Sequence, residues 1–202
     1  EQLPLEVSGA ADNVQWLADT PERVAQYAAL ADEFDRDLAL NIELDVGLHR
    51  GGVVPGEVLG AMLAAIQAHP RLSFAGFMGY DPHIPSLPTT MGWRDRAMKG
   101  VRTTYAAALA QAGDVFGADV MAGITRNAAG SPTYRTYQDT EIASEISAGS
   151  CLVKPTHFDT ELLEPHVPAS FIATPVIKSL PVTHMPGLEF ADGATRAWNP
   201  NA

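Results

Sequence analysis

Apolar positions alternate with polar ones through Leu38, Leu40, Ile42, Leu44 and Val46, with Asn41, Glu43 and Asp45 between them. This period of two predicts a strand over 38–46. The pattern breaks at Gly47, presents His49 and Arg50, and turns on Gly51-Gly52. Pro55 then opens a helix with Leu59, Met62, Leu63 and Ile66 on one face, stopped by His69-Pro70. The same strand–loop–helix plan recurs. Val14 to Leu17 reads as a short strand. Thr20 is an N-cap ahead of Pro21 and Glu22, and Val24, Tyr27, Ala28 and Ala31 stripe a helix to about Phe34. Leu72 to Met78 is a strand feeding GYDPHIPSLP, a proline-rich loop expected to hold no secondary structure. The Ala-rich stretch from Met91 to Ala112 predicts a helix with Gly113 as its stop. Val120 to Ile124 is expected as a buried strand, and Glu145 to Val153 as a last strand interrupted by Ala148-Gly149-Ser150. Phe171 to Ile177 reads as a strand outside this scheme.

Strands alternating with amphipathic helices imply a parallel α/β sheet, and right-handed crossovers leave a doubly wound sheet or a barrel. About five strands fit, against the eight of a closed barrel, and periodicity does not choose between the two.

Composition removes several function classes. The 202 residues carry a net charge of −11 with no Lys/Arg cluster, which argues against nucleic acid and anionic membranes as partners. A single cysteine, Cys151, excludes an internal disulfide framework and a cysteine-based zinc site. No stretch reads as a signal peptide or a transmembrane run, so a cytoplasmic location is expected. The start at Glu1 rather than Met suggests a processed or cut piece.

The chemistry gathers at the ends of the expected strands. Arg50 follows the first long strand, where a surface salt bridge is the plain alternative. Tyr80 and His83 follow the next, where packing and a structural histidine are the alternatives. Ala129-Gly130-Ser131-Pro132-Thr133 can wrap an anion with backbone N–H groups and hydroxyls, or be an ordinary turn. Gly149 and Ser150 can add N–H groups to the same anion, or mark a β-bulge. Recurrence at successive strand ends favours one site for a phosphate-bearing ligand.

In chain order, DVGLHRGGV, GFMGYDPH, NAAGSPTY and EISAGSCLV resemble the D-threonine aldolase / D-serine dehydratase-like family, over roughly residues 14–178. These are fold-type III pyridoxal-phosphate proteins related to the alanine racemase N-terminal barrel. The resemblance implies a TIM-type (β/α)8 barrel of which only the fourth to eighth strands are present. It places a partial cofactor-binding barrel at 1–165 and the start of a β-rich C-terminal domain at 166–202. It implies pyridoxal 5'-phosphate at the barrel mouth. Arg50 would lie beside the ring, Tyr80 would approach the pyridine nitrogen, and Gly130, Ser131 and Thr133 would cradle the phosphate with help from Gly149 and Ser150. The implied substrate is a small D-amino acid or 3-hydroxy amino acid, under aldolase, dehydratase or racemase chemistry, in a protein that pairs as a homodimer. The rivals are a non-catalytic pyridoxal-phosphate binder, an unrelated barrel enzyme of sugar phosphates, and an interaction domain with a degenerate site.

Two parts of the family's machinery have no match. The Schiff-base lysine belongs to the first barrel strand, whereas Lys99, Lys154 and Lys178 all read as structural or solvated. The divalent metal of the aldolases and dehydratases needs a His paired with Cys or Asp in the C-terminal domain. His184, followed by Met185-Pro186, does not fit, and no metal ligands are identified.

Overall fold

A computed structural model describes residues 14–171 apart from 140, together with 173 and 175. Of the strand expected at 171–177 only residues 171, 173 and 175 are described, and Lys178 and His184 lie outside the described residues. The chain divides into two compact units, Glu1–Ser170 and Phe171–Ala202. The first contains every element below.

Five strands, β1 (Gln15–Ala18), β2 (Leu38–Leu44), β3 (Leu72–Gly79), β4 (Thr125–Ala128) and β5 (Glu145–Ile146), lie in the order β1-β2-β3-β4-β5. All four pairings are parallel. A doubly wound sheet reverses its strand order at a switch point, whereas a barrel adds each strand beside the last in one direction. Order and direction therefore choose the barrel, of which this is a five-strand arc.

Three helices cross between strands: α1 (Pro21–Glu33), α2 (Glu57–Ala68) and α3 (Trp93–Ala122). Thr20 caps α1 as expected, its hydroxyl accepting from Arg23 N–H at 3.2 Å. The α2 stripe of Leu59, Met62, Leu63 and Ile66 is fully buried. It shares a core with Leu40, Ile42, Leu44 and Phe77 of the sheet and with Val101, Tyr105, Ala108 and Ala112 of α3. Each buried Leu, Ile or Phe contributes about 1.5–3 kcal/mol, so this layer holds the arc in shape.

Several boundaries differ from expectation, each for a local reason. β2 stops at Leu44 because the following loop folds back: Val53 N–H donates to Glu43 O and Asp45 N–H to Val53 O, both at 2.9 Å. Pro55 does not start α2. The helix begins at Glu57, and the Gln111 side chain holds Gly56 by accepting from its N–H at 3.0 Å and donating to its carbonyl at 2.7 Å. The loop after β3 contains a short 3-10 turn, Ile84–Ser86, pinned by buried Ile84. Gly113 does not stop α3, which runs to Ala122 with a break at Gly117 (φ 77°). Hence no strand forms over 120–124. Phe116 stacks on Phe74 of β3 (centroids 4.9 Å, planes 7° apart), and Met121 and Ile124 pack on the core, so that apolar run belongs to a helix docking on the sheet. β5 is two residues long and does not reach Val153. Ser150–Leu152 forms a 3-10 turn, and the N–H groups of Gly149 before it and Cys151 within it go to a side chain described below.

Gly76 sets how closely β4 approaches β3. Its φ is +147°, and a Cβ there would lie 1.8 Å from the Thr125 carbonyl oxygen. Gly113, by contrast, sits inside a helix with nothing within 4 Å of an added Cβ. Gly76→Ala is expected to cost roughly 3 kcal/mol or to prevent folding. Gly113→Ala should stabilise by about 0.5–1 kcal/mol, both read from denaturant midpoints.

Candidate active site

Parallel register aligns Glu43, Met78, Asn127 and Glu145 in one row across β2 to β5. Tyr80 therefore leaves β3 beside the turn that follows β4. Gly130 in that turn is pressed against the Tyr80 ring, where a Cβ would stand 2.3 Å from Cε2. Arg50 reaches the same ring from the β2 loop, its Cζ 4.7 Å from the centroid. Such a contact is worth about 0.5–1 kcal/mol at an exposed site. Arg50 also lies 4.0 Å from Glu43, with its side chain 62% exposed. Three of the residues singled out from the sequence thus share one place.

Thr133, Ser131 and Gly149 join them through hydrogen bonds, whereas Ser150 does not. The Thr133 hydroxyl, fully buried, accepts from Gly130 N–H at 3.1 Å and donates to Asp81 at 2.5 Å. The Ser131 hydroxyl accepts from Gly149 N–H and from Cys151 N–H, each at 3.1 Å. This single oxygen draws the turn after β5 onto the turn after β4, which is why β5 ends early. Ser150 is exposed, and its carbonyl accepts from Val153 and Lys154 and closes its own turn.

Below this mouth the inner face of the arc is polar. Gln15, Asn41, Thr125, Asn127, Glu145 and Ser147 line a cavity of about 200 Å³ with Leu17 and Met78. Asn41 donates to Gln15 at 2.5 Å, Gln15 to Thr125 at 3.1 Å, Asn127 to Glu145 at 2.5 Å and Ser147 to Asn127 at 2.9 Å. Barrel interiors are more often layered with branched apolar side chains. Here the lining amides and hydroxyls partner one another across strands, apart from the buried Asn41 Oδ1, which has no described partner.

Carboxylates around the mouth are handled differently. Burial raises the pKa of Glu43, Asp19 and Asp45 push the same way, and Arg50 opposes them. Burial also acts upward on Asp45 but is outweighed by the N–H groups of Gly47 and His49, both at 3.0 Å, and by the His49 ring at 2.8 Å. His83 packs against Gly47, and burial lowers its pKa. Asp45, Asp81 and Tyr137 carry this architecture and were not singled out from the sequence. An Asp in a loop looks like ordinary solvated polarity until its partners are visible.

Lys99 is exposed on α3, and Lys154 is buried and paired with Asp159 at 3.3 Å. Neither is joined to the Arg50–Tyr80–Gly130 group by a described contact. Among the described residues no three His, Cys, Asp or Glu side chains are grouped to hold a metal ion. No described helix is long and apolar enough to cross a membrane.

The family described as "Alanine racemase, N-terminal domain" matches residues 4–156, and the chain belongs to it. Solved structures agree on the fold. D-threonine aldolase from Filomicrobium marinum aligns with a TM-score of 0.55 at 19% identity, covering 67% of this chain and 36% of that one. D-threo-3-hydroxyaspartate dehydratase from Delftia sp. HT23 gives 0.55 at 18%, covering 72% and 37%. Alanine racemase from Corynebacterium glutamicum gives 0.50 at 23%, covering 71% and 37%. The chain thus spans little more than a third of the length of these proteins. No curated protein matches it. The likeness read from the four motifs, to the aldolases, the dehydratases and the racemase barrel, is borne out.

A group whose pKa is higher in the folded than in the unfolded state adds stability below its unfolded value, and this is lost as pH rises through the folded value. Glu43, raised from 4.5, is such a group. Glu43→Gln should therefore melt above the parent at pH 7, with the difference closing as pH falls through about 4.5. A constant difference across that range would show that Glu43 ionisation is not what strains the site.

Proposed function

We propose that this chain carries the pyridoxal 5'-phosphate bed of an enzyme acting on a small D-amino acid or 3-hydroxy amino acid, at Cα or Cβ. The observation that carries the reading is the convergence of a guanidinium, a phenol and a hydroxyl-bearing turn at neighbouring strand ends. Two structural neighbours, by their names, act on D-3-hydroxy amino acids, which favours aldolase or dehydratase chemistry. The third leaves racemisation as the other variant.

The residues fit the cofactor by the direction of their protons. Ser131 Oγ accepts from two N–H groups, so its own O–H is the donor it would offer to an anion. Thr133 gives its proton to Asp81, and contributes by fixing Gly130. Gly130 permits the turn to lie flush against Tyr80. Arg50, whose guanidinium lies over the Tyr80 ring, would sit beside the cofactor ring's substituents. The Tyr80 phenol would meet the ring nitrogen. When bound, pyridoxal phosphate supplies an electron sink for the bond broken in the substrate. A lysine to anchor it covalently would come from outside the described residues.

The test is a titration of the longest native form of the protein with pyridoxal 5'-phosphate and with unphosphorylated pyridoxal. The phosphate form should bind at least about a hundredfold tighter, and Ser131→Ala with Thr133→Ala should remove tenfold or more of that preference. Equal affinity for the two forms, or thermal protection by a phosphosugar but not by pyridoxal phosphate, would sink the assignment. A panel of D- and L-amino acids then separates the three chemistries by product.

A further inference from the structure

We infer that Asp81 is a positioning residue for the candidate cofactor site, clamping Tyr80 against the phosphate turn. The inference rests on the functional reading above. Asp81 follows Tyr80 directly and is fully buried. Its two oxygens are met by two hydroxyls from the loop after β4: Thr133 on Oδ1 and Tyr137 on Oδ2, each at 2.5 Å. Thr133 then accepts from Gly130 N–H, and Gly130 touches the Tyr80 ring. The path Tyr80–Asp81–Thr133–Gly130–Tyr80 therefore closes on itself, linking residues far apart in sequence.

A carboxylate suits this place because of what it lacks. It only accepts, so both hydroxyl protons must point at it. With its proton committed, the Thr133 oxygen can face Gly130 N–H only as an acceptor. The turn is left with one arrangement of donors. An amide at position 81 would turn one of its two arms into a donor and reverse one of the bonds. Burying a carboxylate costs several kcal/mol, and removing charge from such sites is often neutral or favourable for stability. Stability is thus a poor account of Asp81, while geometry at Gly130 is a good one. A negative charge beneath a phosphate turn would also repel the ligand, so its contribution is to position and not to attract.

Two readouts test the clamp: pyridoxal 5'-phosphate affinity of the longest native form, and amide hydrogen exchange of Gly130 without ligand. Asp81→Asn keeps the volume, and Thr133→Val keeps the shape while deleting the hydroxyl. Both should speed Gly130 exchange and weaken cofactor binding by about five- to tenfold, the scale of one net hydrogen bond. Ile66→Val, which thins the core under α2, should lower the melting midpoint and leave both readouts within about twofold. Unchanged Gly130 exchange in both network variants would overturn the clamp, whether or not the cofactor binds. Faster exchange with parental affinity would overturn its role toward the cofactor. A parent protein that binds no pyridoxal phosphate would instead remove the functional reading, with exchange still deciding whether the clamp exists. If Asp81→Asn does not fold, Thr133→Val carries the test.

Discussion

The register between β3 and β4 is the constraint from which the candidate site follows. Gly76 faces Thr125, Phe77 faces Arg126 and Met78 faces Asn127. Counting on two residues from each strand brings Tyr80 and Asp81 level with Ala129 and Gly130. A slip of one residue would turn every side chain to the opposite face of the sheet. A slip of β3 would carry Phe77 out of the core, and a slip of β4 would carry Asn127 away from Glu145. The register is held because β4 can approach only where β3 has no Cβ, at Gly76. Apolar packing on the outer face and chemistry at the strand ends are thus set by one backbone alignment.

Within that frame the chain places carboxylates in three distinct surroundings. Asp45 is ringed by N–H donors and its ionised form is favoured. Glu43 is held among other acids with a single guanidinium at 4.0 Å, and its ionised form is disfavoured. Asp81 is satisfied by hydroxyls alone. Coulomb attraction at the distances of exposed pairs is small, about 1 kcal/mol or less, so none of these arrangements is chiefly a store of stability. Their common effect is orientation. Asp45 shapes the loop that delivers Arg50, Glu43 lies under that guanidinium, and Asp81 ties the end of β3 to the turn that Tyr80 touches.

How much of this could be read beforehand depended on whether the signal was local. The stripe Leu59, Met62, Leu63 and Ile66 and the cap Thr20-Pro21 were legible because periodicity and capping need only neighbours in sequence. β4 was not legible. Its residues Thr125 and Asn127 face a polar lumen and Arg126, on the other face, bonds to the segment before β5, so the apolar run marking a buried strand was absent. The apolar run just before it belongs to the end of α3, and no residue-level pattern separates a short buried helix from a strand of equal length. The grouping of Arg50, Tyr80 and Gly130 was legible only as recurrence at strand ends. Asp81 was invisible, since its meaning lies in hydroxyls 52 and 56 residues further on.

The two hydroxyls of the turn show why residue type alone does not assign a role. Ser131 and Thr133 sit two apart in a small-residue turn and look equivalent in the sequence. Their oxygens face opposite demands. Ser131 accepts from Gly149 and Cys151, and no described acceptor takes its proton. Thr133 surrenders its proton to a carboxylate, so it can only accept from Gly130. The first hydroxyl ties the next turn to this one through Gly149 and Cys151. The second fixes where Gly130, and through it the Tyr80 ring, must lie. Under the proposed function, binding strength and ring placement then depend on different hydroxyls of one turn. One piece of backbone carries both hydroxyls, and a buried acceptor just past the end of β3 settles which way the Thr133 proton points.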